Sequence, residues 1–155
     1  VELASVIVET ASFLEAAASN RNATIKVFAP KGLAPVRADR ILMEQVMINL
    51  MRNGIEAMGG PSARHVRLEV ELRQEDDHQV IEVRDSGPGI SPTVAGRLFE
   101  PFVTSKQDGM GMGLNICRTI IELHHGRLEH RPNPTGGTIF SIVLPVPQPE
   151  RAAAE

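Results

Sequence analysis

Residues 45–58 read QVMINLMRNGIEAM. Apolar residues recur there at helical intervals, so the stretch is the body and end of a helix. Yet it spends Asn49, Asn53 and Gly54 where a plain core helix would carry alanine or leucine. Asparagine is a mediocre helix former, and an interior glycine costs about 1 kcal/mol relative to alanine. Asn49 and Asn53 are four residues apart and project from one face. The bland reading leaves both amides at the surface. The chemical reading is that two carboxamide oxygens, flanked by Ile48, Leu50 and Ile55, ligate a hard cation such as Mg²⁺, which takes oxygen donors and shares them with substrate phosphates. Neutral amides leave the ion's charge available to those phosphates.

The pattern extends in both directions from this helix. Asp39 is placed to cap its start, and Gly59-Gly60-Pro61 to end it. Upstream, residues 2–19 set Val6, Phe13, Leu14 and Ala17 at helical spacing, and TIKVFA (24–29) is a β-branched strand stopped by Pro30 and Gly32. A short extended piece surrounds Val36. Downstream, HVRLEVELR (65–73) and QVIEVRD (79–85) alternate apolar and polar residues as half-buried antiparallel strands do, joined by the acidic turn Glu75-Asp76-Asp77. Residues 86–111 are rich in glycine, proline and serine and form a long loop of the kind that carries function. A helix over about 112–125, ended by Gly126, and strands near 127–131 and 137–145 complete the chain. The expected fold is α+β, a two-layer sandwich of about three helices on a mixed, mostly antiparallel sheet. The domain spans 1–146, and 147–155 forms a disordered tail.

Composition bounds the function. The chain has 155 residues, 42% of them hydrophobic and 23% charged, as ordinary globular domains do. With no Trp or Tyr and five Phe, the core is aliphatic. A net charge of −3 argues against a general nucleic-acid binder, so no nucleic-acid partner is expected. The single Cys117 excludes an internal disulfide and reads as a packed core thiol. No apolar run approaches the roughly 20 residues of a membrane span. With no signal-peptide pattern either, the domain is expected to be cytoplasmic and monomeric when isolated, whether or not the full-length protein is membrane-anchored. The chain opens directly inside an amphipathic pattern, so it reads as a domain cut from something longer.

Three further motifs carry chemistry. DSGPGI (85–90) follows a strand directly; Asp85 ends that strand, and a carboxylate there could accept a hydrogen bond from an exocyclic amine. By itself the hexapeptide is more readily a capped Gly/Pro turn. GMGMGL (109–114) runs into a helix, where exposed N–H groups and the positive dipole end suit phosphate. It fits neither GxxxxGK[ST] nor GxGxxG. PTGGTIF (134–140) alone says only that a turn precedes a strand.

Together, the order and separations of these stretches resemble the ATP-binding catalytic domain of sensor histidine kinases. That family belongs to the wider gyrase, heat-shock chaperone, histidine kinase and mismatch-repair ATPase superfamily, whose ATP-binding fold is the Bergerat type. NLMRNGIEAM is similar to its N box, DSGPGI to the G1 box, LFEPFVTSK to the F box, GMGMGL to the G2 box and TGGTIF to the final glycine box. The wording looks nearest to the nitrogen- and oxygen-sensing subgroup.

The resemblance implies ATP and Mg²⁺ as cofactors. Asp85 would bind the adenine amine, and Gly87 and Gly89 would let the loop pass the purine with Ile90 beside it. Asn53 would coordinate the metal, with Asn49 as a second ligand or orienting group. Residues 91–108 would form a mobile lid anchored by Phe99 and Phe102, with Thr104, Ser105 and Lys106 as phosphate contacts. Gly109, Gly111, Met112, Gly113 and Leu114 would bring helix-end amides to the phosphates, and Thr138 would line the pocket floor. Some family members carry a basic residue where this chain has Glu56, so a phosphate contact is not carried over to that position. Gly54 stands in place of the commoner Ala, loosening the helix or making room near the base. His125-Gly126 is similar to a His-Gly at this helix end, where an imidazole would face the helix dipole.

Related ATPases carry a water-activating Glu where this chain has Asn49, and Asn cannot act as a general base. The resemblance therefore implies donation of the γ-phosphoryl group to a histidine on a separate dimerisation and phosphoacceptor domain of the same polypeptide. Relay to the receiver domain of a response regulator would follow. Two other readings share the motifs: an ATP-hydrolysing conformational switch, and a scaffold that has lost catalysis.

Overall fold

The computed structural model describes residues 1–58, 66–87 and 113–147. Helix α1 (Leu3–Asn20) leads to strand β1 (Ala23–Phe28), then helix α2 (Arg40–Ala57). Strands β2 (Val66–Glu75) and β3 (His78–Arg84) form a hairpin. Helix α3 (Gly113–Leu123) precedes strands β4 (Arg127–Pro132) and β5 (Thr138–Pro145). The sheet order is β1-β2-β3-β5-β4, with β1 parallel to β2 and the other pairs antiparallel. This is the expected α+β sandwich, with three helices on a mixed five-stranded sheet among the described residues.

Alternation sorts the sheet into two faces. Leu68, Leu72, Ile81 and Ile142 are buried on the helix side, where Met47, Leu50, Met51 and Ile55 of α2 and Ile121 of α3 meet them. In α1 the buried stripe is Leu3, Val6, Ile7, Thr10, Leu14 and Ala18. Phe13 and Ala17, expected in that stripe, are exposed instead, Phe13 by 69%. Phe13 points about 20° beyond Val6, at the margin of the stripe, because a seven-residue step drifts by about 20° per repeat; Ala17 points within the stripe's arc, in the last turn of the helix.

The helix termini explain how α2 is aimed. Asp39 caps it as expected, its Oδ1 accepting the Leu42 N–H at 3.0 Å. The Asp39 N–H in turn donates to His124 Nε2 at 3.1 Å, while His124 Nδ1 meets the Ile120 carbonyl at 2.7 Å. The ring therefore carries its proton on Nδ1 and ties the end of α3 to the start of α2. This link comes from His124, a residue the sequence reading did not single out. His125 takes the left-handed conformation (φ 64°) that turns the chain into β4. The expected end of α2 at Gly59-Gly60-Pro61, the long loop and the tail at 148–155 lie outside the described residues.

The outer sheet face holds a charge network the sequence did not announce. Glu82, with 6% of its side chain exposed, receives Arg73 at 3.1 Å, Arg84 at 2.9 Å and Arg131 at 2.9 Å. Burial alone would raise its pKa. Hydrogen bonds from Arg131, Arg73 and Arg84 outweigh that and hold it down at about 2, against an ordinary 4.5. A lowered carboxylate value contributes stability that is present above 4.5 and is lost as pH falls towards 2. Urea unfolding is therefore expected to lose about 2–3 kcal/mol through this group on acidification, and Glu82→Gln to remove that part of the slope. An identical pH slope in the variant would contradict the assignment.

Candidate functional site

Asp85 follows β3 and continues its helix-side face, where it is 6% exposed. Its N–H donates to the Thr138 carbonyl at 3.0 Å. The carboxylate Oδ1 accepts the N–H of Thr138 at 3.2 Å and of Gly87 at 3.0 Å. Asn133 Nδ2 donates to the Asp85 carbonyl at 2.9 Å. The acid is thus fixed by main chain on both sides, with one carboxylate oxygen committed to the fold.

α2 passes directly over it. A Cβ built on Gly54 would lie 3.6 Å from Asp85 Cβ and 2.5 Å from Leu68 Cδ1. Gly54 therefore lets the helix settle onto the strand beside the acid, which favours the making-room reading of this glycine. The tighter neighbour is the end of a flexible side chain that can turn aside, and alanine gains about 1 kcal/mol in helix propensity. Gly54→Ala is accordingly expected to change stability by less than about 1 kcal/mol, measured by thermal unfolding. A loss of several kcal/mol would show that Leu68 cannot yield.

About 7.5 Å back along α2, and on another side of it, the helix meets α3. The Asn49 amide lies 3.7–4.0 Å from the Cβ position of Gly113, and its Nδ2 is 3.7 Å from Cys117 Sγ. Gly113 and Cys117 are one turn apart on α3, so the amide is held between them. Cys117 is fully buried, and burial pushes its thiol up to about 11, so it is the neutral core thiol expected. Asn49 and Asn53 are both half-buried on α2.

The structure joins Asp85, Gly87 and Thr138 by hydrogen bonds and sets Asn49 beside Gly113, while Asn53 lies one turn after Asn49 on α2 and Leu114 packs against the core from the first turn of α3. Gly87 has a packing reason of its own, since a Cβ there would come within 2.5 Å of the Ala57 carbonyl oxygen. Gly89, Ile90, Thr104, Ser105, Lys106, Gly109, Gly111 and Met112, with Phe99 and Phe102, lie outside the described residues. Sequence reading missed two residues. Gly137, at φ 92°, presses against Asp85: a Cβ would overlap its carbonyl oxygen and stand 2.6 Å from Oδ1. Asn133 closes the same turn, its N–H donating to the Gly137 carbonyl at 2.9 Å. The glycine pair signalled the turn; nothing local signalled what the turn touches.

The donor set bears on the metal. Among the described residues no group of three His, Cys, Asp or Glu side chains converges. The two amide oxygens, together with phosphates arriving on a substrate, are the hard neutral and anionic donors that Mg²⁺ takes. Asn49 and Asn53 fit that ion. No described helix is long and apolar enough to cross a membrane.

Three helices on one face of a mixed five-stranded sheet are also the architecture of solved histidine kinase catalytic domains. The catalytic domain of histidine kinase ThkA matches this chain with a TM-score of 0.82 and 30% identity, over 94% of this chain and 93% of that one. Residues 38–148 match the family described as "Histidine kinase-, DNA gyrase B-, and HSP90-like ATPase", and the chain belongs to it. Two sequence relatives are sensor proteins. The C4-dicarboxylate transport sensor protein DctS of Rhodobacter capsulatus is 46% identical over 96% of this chain and 22% of its own length. Sensor protein FixL of Bradyrhizobium diazoefficiens is 39% identical over 94% of this chain and 29% of its own length. The chain thus spans less than a third of either relative.

Proposed function

We propose that this domain binds Mg-ATP and presents the γ-phosphoryl group to a histidine on a separate dimerisation and phosphoacceptor domain of the same polypeptide. From there the group passes to the receiver domain of a response regulator. The observation that supports this most is the double contact of α2, which sets Gly54 against Asp85 near its C-terminal end and Asn49 against Gly113 near its middle. One helix thereby spaces an adenine-selecting acid from a phosphate-binding helix start.

Each residue has a defined task in this reading. Asp85 accepts a hydrogen bond from the exocyclic amine of adenine. The N-terminal turn of α3 offers N–H groups to phosphate oxygens. Asn53 and Asn49 supply amide oxygens to Mg²⁺, which when bound offsets negative charge on the phosphates. Asn49 also leaves the site without a carboxylate to activate water there. The phosphoryl group then goes to an imidazole nitrogen: a P–N bond forms, the bond to the bridging oxygen breaks, and ADP departs.

Incubating the chain with labelled ATP and an isolated phosphoacceptor domain is expected to give acid-labile phosphohistidine, with slow hydrolysis when the acceptor is omitted. Fast hydrolysis by the chain alone, without transfer, would favour a conformational ATPase. Absence of nucleotide binding would favour a scaffold. Asn53→Ala is expected to weaken ATP binding about tenfold or more with Mg²⁺ and far less in EDTA, read by displacement of a fluorescent ATP analogue. Equal losses in both conditions would count against ligation.

A further inference from the structure

A second site lies on the far side of α1. α1 and β1 diverge from the tight turn at Arg21–Asn22 and leave a groove of about 450 Å³ between them. Val8, Ala11 and Glu15 of α1 form one wall, and Ala23, Ile25 and Val27 of β1 form the other. Among the described residues β1 is an edge strand of the sheet, paired with β2 alone.

Its register decides which main-chain groups face the groove. The Val66 N–H donates to the Asn22 carbonyl, and Ala23 pairs with Val66. In a parallel ladder, groups on one strand alternate between the partner and the open side. Thr24, Lys26 and Phe28 therefore turn their N–H and C=O groups towards β2. Ala23, Ile25 and Val27 turn theirs outward. That row of donors and acceptors has no partner among the described residues, and its three residues line the groove.

Exposed strand edges are usually blunted by charge or proline. The opposite edge, β4, is blunted in this way: Arg127 pairs with Glu129 at 2.7 Å, and the strand ends at Pro132. On β1 the one charge, Lys26, lies on the outer sheet face with its Nζ 5.8 Å from the Phe28 ring centroid, and the groove-side residues Ala23, Ile25 and Val27 carry neither charge nor proline. The neighbouring wall is small and partly apolar, with Val8 49% exposed. Ser12 in the same wall keeps the groove wide. Glu15 is its single charged lining residue and makes no ion pair among the described residues.

We propose that the α1–β1 groove is a docking site for an extended peptide segment of a partner protein. The segment adds to the sheet as a sixth strand beside β1, with a lysine or arginine set against Glu15. Backbone pairing with Ala23, Ile25 and Val27 provides the adhesion, and the helix wall selects side chains. The spacing fits: Ala11 and Glu15 are about 6 Å apart along the helix axis, and side chains two apart on a strand are about 6.8 Å apart. The recognised pattern is thus an apolar residue and, two positions along, a cation. This proposal stands apart from the nucleotide site, because none of its residues belongs to that site.

The probe is a blocked heptapeptide alternating threonine and valine with one central lysine, titrated into the ¹⁵N-labelled chain. Saturable shifts confined to the amides of Ala23, Ile25 and Val27 and to α1 residues near Glu15 are expected. N-methylation of alternate peptide amides, on the side that pairs with β1, should abolish them. Glu15→Lys should weaken the lysine peptide about fivefold to tenfold and admit the matching glutamate peptide. Shifts along β4, equal binding of the N-methylated peptide, or no saturation at millimolar peptide would each overturn the proposal. A fluorescent ATP analogue should bind equally with and without the peptide.

Discussion

Asp85→Asn is expected to lower ATP affinity about a hundredfold while leaving the melting temperature within a few degrees of the parent. The two halves of that expectation come from different atoms. The Oδ1 that accepts the Thr138 and Gly87 N–H groups survives in asparagine, so the main-chain frame keeps both bonds. The other oxygen becomes an NH₂ group, turning an acceptor into a donor. In the proposed site it would then oppose the adenine amine, another donor. A lost charge-assisted hydrogen bond together with an unpaired donor amounts to about 3 kcal/mol, which is roughly a hundredfold in affinity. Competition binding with a fluorescent ATP analogue reads the first half, and thermal unfolding the second. An unchanged dissociation constant in a folded variant would remove Asp85 from the adenine site.

Gly137→Ala attacks the same acid through the fold. A single methyl would overlap the Asp85 carbonyl oxygen and crowd its Oδ1, at a backbone φ of 92° that alanine rarely adopts. Neither obstacle can be turned aside, because the oxygen is main chain and Asn133 and Thr138 hold the residue from both sides. A loss of about 2–4 kcal/mol is expected, lowering the melting temperature by roughly 5–15 °C, with ATP affinity falling even where the variant remains folded. The comparison with Gly54→Ala is informative, since both glycines lie close to Asp85. One faces the tip of a leucine and tolerates a methyl; the other faces backbone and does not. A melting temperature for Gly137→Ala within a degree or two of the parent would show that the β5 turn can relax.

How far the sequence carried this reading depends on the range of each interaction. The amphipathic helices, the Asp39 cap and the acidic hairpin turn were legible because local spacing or a side chain on the next turn determines them. The α+β layering followed from the order of the strands and helices. Phe13 misled because a seven-residue recurrence drifts out of register with a 3.6-residue helix. His124 was invisible as a link because its partner, Asp39, is 85 residues away. The Glu82 network escaped for the same reason: Arg73, Arg84 and Arg131 converge only once β2, β3, β5 and β4 are laid side by side. At the candidate site, Asn49, Asn53 and Asp85 stood out as residue types that a plain helix or strand would not choose. Gly137 and Asn133 did not, because a glycine turn has many reasons to exist and only the fold shows what it presses against.

The central claim is that the seam between α2 and the sheet selects adenine through Asp85 and holds the triphosphate through Mg²⁺. Isothermal titration calorimetry of the chain with Mg-ATP and with Mg-GTP tests it directly, because guanine places a carbonyl oxygen where adenine has its amine. One-to-one binding of ATP, with GTP weaker by about a hundredfold, is the predicted result. No heat with ATP, or equal affinity for the two nucleotides, would contradict it.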